Sequence, residues 1–414
     1  MRQTLTAGDD LPRTKNDKQA DLIVRAGSPA ALLRLIPHLI GFVPEASLLV
    51  IGVTPPRDRI KVTLRYDLPD PPEADQAADI AAHAVGVLCS QRLTTAVAVG
   101  YGPDALVTPV ADELRDAARQ AGLEVHEFLR VAGGRYWSYL CRDEECCPAD
   151  GVPFDADAAD PAEAAALARV GDRVLASRAA LAARVAPLGG IAATSMRQAT
   201  RRAEQHVAGL LAKVRKSARL GAARHMIAAE GLAASGAMMV RYRGGGTFTS
   251  DDEVARITVA LRDLRIRDDA WARMDPAQSA AHLRLWTDVV RRAQPGYVAA
   301  PAALLAFVAW QSGDGALANV ALDRALADDP GYSMAVLLRQ VITAGVPPSL
   351  ARLPMTPEEV AASYDDAEYG DADYDYAEYD DAEYNDAEYG YDDDYDECPG
   401  PDVDDRAPNA HDED

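Results

Sequence analysis

No stretch of the 414-residue chain approaches the roughly 20 consecutive apolar residues that a membrane-spanning helix needs. The longest apolar runs are broken by Pro44, Glu45 and Arg57, so no membrane contact is expected. The N-terminus lacks a basic start followed by an apolar run; no secretory leader is expected, and the reading is cytoplasmic. Cysteine is sparse as well, and five in a long chain are not the disulfide framework of a small secreted domain. There is no G-x-S-x-G, no H-E-x-x-H and no acidic cluster at metal-binding spacing in the first 360 residues, which moves weight away from hydrolases. Basic residues are nearly missing from the C-terminal end, where 361–414 hold 23 acidic groups against Arg406 alone. That leaves 42 acidic and 41 basic residues in 1–360, so the net charge of −23 belongs to one segment and the body is nearly neutral.

What is present suffices for sizeable cores: 48% of the residues are apolar, and the length implies two or three domains. Residues 1–20 are polar and aperiodic, which predicts a disordered arm. Over 21–150 short β-rich runs (Ser47–Gly52, Arg59–Tyr66, Thr95–Val99, Val125–Val131, Tyr136–Cys141) alternate with helical patterns (Pro29–Ile40, Ala74–Arg92, Ala105–Ala121). This predicts an α/β domain with a mixed, largely buried sheet. Arg59–Tyr66 alternates apolar and polar residues and so belongs near a sheet edge. Pro, Gly, Asp and Ala dissolve the pattern around 148–161 and set a boundary near residue 150. Residues 151–352 carry helical spacing and few β signals, which predicts an all-α domain, with Asp251–Ile266 read as one helix capped by Thr249-Ser-Asp-Asp-Glu253. Pro301–Pro330 reads as a helical hairpin turning at Gly313-Asp314-Gly315; Ala318, Leu322, Ala325, Leu326 and Pro330 resemble the second half of a tetratricopeptide repeat. Over 353–414 tyrosines recur every five residues (364, 369, 374, 379, 384, 389) among dense like charge, a spacing that builds no face on helix or strand. A disordered acidic tail is expected.

Local chemistry concentrates in Tyr136-Trp-Ser-Tyr-Leu-Cys141-Arg-Asp-Glu-Glu-Cys146-Cys147-Pro148. Cys141, Cys146 and Cys147 would bind zinc if a fourth ligand came from afar, His38 or His126, and a redox role would need Cys141 paired with Cys146 or Cys147. Adjacent thiols on an extended chain point apart, so the favoured reading is thiols packed around a tight turn beside Trp137 and Tyr139. His38, in an apolar helix before Gly41-Phe42, either lines a pocket or bonds a carbonyl and packs. Tyr101 sits in Gly100-Tyr-Gly-Pro-Asp104, after an apolar strand and before a helix, where open α/β sheets place ligands, although its glycines match no phosphate loop. A candidate pocket thus comprises His38, Tyr101, Trp137, Tyr139 and Cys141. Between Arg197 and Arg224 eight bases face one acid, Glu204, and read as one basic amphipathic helix. Arg201, Arg202, Lys213, Lys216 and Arg219 would meet a polyanion there, while a solvated face explains the pattern without a partner.

Three segments taken together resemble a known family. Leu35-Ile-Pro-His38-Leu-Ile-Gly41-Phe42-Val-Pro44-Glu-Ala-Ser47, the run from Gly133 to Pro148, and the Trp310–Pro330 hairpin are similar to an uncharacterised actinobacterial family, domain of unknown function 4192. The likeness spans roughly residues 20–350 and implies no activity, cofactor or catalytic residue. The functional expectation is a non-enzymatic cytoplasmic adaptor or regulatory protein binding a protein partner through its helical domain. Two other readings stand beside it: a small-ligand-binding protein or enzyme using a cleft near Tyr136–Cys147, and a nucleic-acid-associated protein using the basic segment 197–224.

Overall fold

The computed structural model describes residues 6–7, 28–54, 59–70, 74–159, 163–165, 167, 174–215, 220–246, 250–348 and 356–366. Helix α1 (Pro29–Ile40) starts where Ser28 accepts the Ala31 N–H at 3.2 Å and Pro29 fills the first turn, and it ends on Gly41 at φ +81°. Six strands follow: β2 (Ser47–Thr54), β3 (Arg59–Asp67), β4 (Thr95–Tyr101), β5 (Glu124–Ala132), β6 (Arg135–Ser138) and β7 (Val152–Pro153). The two-residue β1 (Thr6–Ala7) adds to the β3 edge, giving the order β1-β3-β2-β4-β5-β6-β7. β4 and β5 are parallel and joined by helix α3 (Asp104–Gln120), while β2, β3, β6 and β7 pair antiparallel, so the sheet is mixed as the alternating pattern predicts. Central β2 alternates its residues between two layers. Leu48 and Val50 pack with α2 (Ala74–Ser90) and α3, whereas Leu49, Ile51 and Val53 pack with α1. β3 is half exposed along most of its length, as a strand near the sheet edge should be.

The sheet unit does not stop at residue 150. Val152 and Pro153 pair with Tyr136 and Arg135, the Phe154 N–H reaches the Gly134 carbonyl at 2.8 Å, and Leu167, 5% exposed, joins the α1-side core. Arg34 on α1 grips Glu163 through two bonds of 2.9 and 3.0 Å. The composition shift near 150 marks a loop within the unit instead of its end, because Pro and Gly are as suited to a β turn as to a linker.

The remaining described elements are helices: α4 (Arg178–Ala183), α5 (Gly190–Arg215), α6 (Leu220–Arg243), α7 (Asp251–Ala260), α8 (Leu264–Ala272), α9 (Ser279–Arg292), α10 (Ala299–Gln311), α11 (Gly315–Asp328), α12 (Ser333–Thr343) and α13 (Pro357–Asp366). Every residue of α10 from Ala299 to Trp310 is buried, so it forms the centre of this core, as a helix apolar all round must. It turns back at Gly313, φ +80°, into α11, whose N-terminus is capped by Asp314 accepting from the Leu317 N–H at 2.9 Å. The expected helical hairpin is present. No described helix is long and apolar enough to cross a membrane.

Three sequence expectations change here. The segment read as one helix over Asp251–Ile266 is two, because Leu261–Asp263 turn and Asp263 caps α8 by accepting from the Arg265 N–H at 2.9 Å. The basic segment 197–224 is not one helix. His206 Nε2 on α5 lies 2.7 Å from Glu230 Oε2 on α6, whereas 24 residues of continuous helix would hold them about 36 Å apart. Finally, the segment assigned to a disordered tail from residue 353 includes α13, in which Val360 is 2% exposed. The tyrosine repeat beyond residue 366, and most of the N-terminal arm, lie outside the described residues.

Candidate functional site

The aromatic and cysteine motif is built on a hairpin. β5 and β6 pair Ala132 with Arg135 across Gly133-Gly134, both at positive φ (+57° and +71°), the two-residue turn that glycine pairs favour. That register sets Trp137 opposite Arg130, and the Arg130 guanidinium lies 3.8 Å from the Trp137 ring centroid while its Nε sits 3.4 Å from Asp104 at the start of α3. The Trp137 indole N–H donates to the Ala149 carbonyl at 3.1 Å and Arg135 donates to the Gly151 carbonyl at 2.6 Å, so the far end of the loop 139–151 is tied back to β6. Ser138 donates to Glu127 Oε1 at 2.8 Å and accepts the N–H groups of Leu140 and Cys141 at 3.2 and 3.1 Å.

Within the loop the Cys147 N–H bonds the Asp143 carbonyl at 2.7 Å and the Glu145 N–H bonds the Asp143 carboxylate at 2.9 Å. This turn brings the three thiols together: the sulfurs of Cys141, Cys146 and Cys147 all lie within 4.8 Å of one another, those of Cys146 and Cys147 at 3.9 Å. Sequence reasoning took the chain as extended, where adjacent thiols diverge; a turn reverses that. Burial, then hydrogen bonding from its two neighbours, pushes the Cys147 thiol up to about 12, while the backbone N–H of Asp143 and then the Cys147 thiol hold Cys141 below the ordinary thiol range. The Tyr136 hydroxyl is raised by burial and then by the charge of Cys147 and Cys146. Among the described residues no other group of His, Cys, Asp or Glu donors converges in this way, and neither His38 nor His126 belongs to the cluster; His126 instead faces Glu124 at 3.4 Å.

The other pocket candidates are dispersed. Tyr101 and Tyr136 pack on the α1 side of the sheet, and the Tyr101 hydroxyl is buried without a partner, as is Nδ1 of His38 on α1. Tyr139 lies on the opposite face, edge-on to Phe128 at 5.2 Å between ring centroids, with its hydroxyl 2.7 Å from Thr108 Oγ1 on α3. Trp137 shares that side through Arg130 and Asp104. The sheet therefore separates the five residues, and only Cys141 stands in the thiol cluster. Of the polyanion candidates, Arg201 and Arg202 are exposed on α5, Arg202 being bound to Asp252 at 3.0 Å; the side chain of Lys213, and all of Lys216 and Arg219, lie outside the described residues.

A second feature, missed in the sequence, is the seat of α13 on α8. Thr356 and Glu359 form reciprocal bonds, the Thr356 N–H to Glu359 Oε2 at 2.7 Å and the Glu359 N–H to Thr356 Oγ1 at 3.2 Å, with Pro357 in the first turn. Thr-Pro-Glu-Glu is a helix-start signal that the following acidic repeat obscures. Four residues apart on one face, Val360 is buried and Tyr364 donates to Asp268 Oδ2 on α8 at 2.7 Å. Glu358 adds a favourable field at Arg273, the residue that ends α8.

Among families of related proteins, the model described as Domain of unknown function (DUF4192) matches residues 29–349. No curated protein and no solved structure matches the chain.

Proposed function

We propose a role for a chain that belongs to the family described as Domain of unknown function (DUF4192): it is a non-enzymatic, cytoplasmic adaptor or regulatory protein that binds a protein partner through its helical domain. The observation that carries this reading is the seating of α13 on α8, where the helical domain accepts an acidic amphipathic helix through a buried aliphatic residue, Val360, and a hydrogen-bonded tyrosine four residues on. Partner helices that dock by the helix-in-groove mode use anchors at the same i and i+4 spacing. A partner presenting an aliphatic residue and a tyrosine at that spacing, with acids in its first turn, has the chemistry the surface takes. The α10–α11 hairpin followed by α12 supports the reading further, since its small residues Ala318, Ala321 and Ala325 are buried, as close packing of helices requires.

In this account the chain's own helix and an external one compete for the same seat. The test uses the full chain and its Val360→Asp variant as baits in native lysate, with a synthetic peptide of residues 355–368 as eluent. A partner retained more strongly by the variant and released by the peptide supports the proposal. Equal retention by both baits, or retention that the peptide does not disturb, contradicts it.

A further inference from the structure

We infer that Cys141, Cys146 and Cys147 form a zinc site, binding one Zn²⁺ through three thiolates. The sulfurs already stand near coordination distance: with Zn–S bonds of about 2.3 Å, a tetrahedral site spaces its sulfurs about 3.8 Å apart, and the Cys146–Cys147 separation is 3.9 Å with the third sulfur inside 4.8 Å of both. The third sulfur is at most about 1 Å from that spacing. The backbone needs no rearrangement, because Ser138, Asp143, Gly151 and the Trp137–Ala149 bond fix both limbs of the loop before any ion arrives.

Three thiols packed this closely cannot all ionise without a cation, since each thiolate raises the cost of the next. A divalent ion removes that cost. The loop's other charges point the same way: Asp143, Glu144 and Glu145 outnumber Arg142, so the local field is negative and attracts a cation. Cys146 is exposed, so the ion has a path in, and with three protein ligands the fourth position belongs to water or to an incoming ligand. Binding replaces each S–H bond with an S–Zn bond and releases its proton to solvent, so affinity rises with pH.

The experiment is a Zn²⁺ titration of the reduced full-length chain against a chromophoric chelator, repeated with Co²⁺, whose thiolate charge-transfer bands report sulfur ligation. One equivalent per chain is expected, with sulfur-to-cobalt absorption, and at least about tenfold weaker binding for Cys141→Ser and for Cys146→Ser, while the same change at Cys398, the cysteine of the C-terminal acidic segment, leaves binding as in the unaltered chain. Cys146 is exposed, so its variant keeps the test valid even if Cys141→Ser perturbs the loop. Failure of the reduced chain to take up Zn²⁺, cobalt bands without sulfur character, or undiminished affinity in Cys146→Ser overturns the inference.

Discussion

The indole of Trp137 occupies the space a side chain on Gly151 would need: a Cβ there would stand 2.5 Å from Trp137 Cε2, and Gly151 itself holds φ +81°. The two residues close the loop that presents the thiols, one as lid and the other as the only residue type the backbone and the lid both tolerate. Gly151→Ala therefore carries two penalties, backbone strain and a clash with a bonded indole. It is expected to cost about 1–3 kcal/mol, read as a lower midpoint in urea together with a change in tryptophan emission. An unchanged midpoint would mean that the loop is not closed in this way.

The elements most readable in the sequence are those whose ends carry their own signals. Ser28-Pro29 and Gly41 bound α1, Gly133-Gly134 turns the β5–β6 hairpin, and Gly313 turns the α10–α11 pair, so local chemistry and tertiary structure agree. The sequence misleads where a signal is weak or overruled. Leu261–Asp263 interrupts an apolar period with neither glycine nor proline, and Asp263 is a lone cap. The end of α5 and start of α6 share a run of bases whose composition suits one long helix equally well; the packing of the two helices, with the His206–Glu230 contact between them, reveals the reversal. The three cysteines were visible as letters, but their convergence depends on Asp143 bonding to Glu145 and Cys147, which spacing does not encode.

The pair Arg34–Glu163 ties the segment after residue 150 to α1, with side chains only 12% and 18% exposed. Glu163→Ala leaves a largely buried guanidinium without its acceptor, so a loss of about 2 kcal/mol is expected. Arg34→Met with Glu163→Met restores most of it, because two apolar side chains of similar length strand no charge. Urea denaturation of the single and double variants reads both effects.

His282 on α9 is buried with neither ring nitrogen bonded, and burial, aided by the nearby Arg243 charge and opposed by Asp275, lowers its pKa to about 4. Between about pH 6.5 and 4 the unfolded chain takes up a proton that the folded chain refuses, so stability falls as pH drops through that window and the contribution is constant below it. His282→Leu removes both the unbonded nitrogens and the titration. The variant should be more stable by about 1 kcal/mol at neutral pH, with a larger advantage at pH 5, seen as thermal midpoints measured across that range. A variant whose advantage shrinks on acidification would contradict this.

The proposed partner recognition rests on the seat on α8 that the buried Val360 side chain marks. Burying that side chain contributes about 1.5–3 kcal/mol, so Val360→Asp should undock α13 and open the seat with a gain of about tenfold or more for anything that competes for it. The direct measurement is fluorescence anisotropy of a labelled peptide of residues 355–368 titrated with the full-length chain and with its Val360→Asp variant. Saturable one-to-one binding to the variant, at least about tenfold tighter than to the unaltered chain and lost when the peptide itself carries Val360→Asp, is the predicted result. Equal affinity for both chains, or no binding to the variant, would contradict the account.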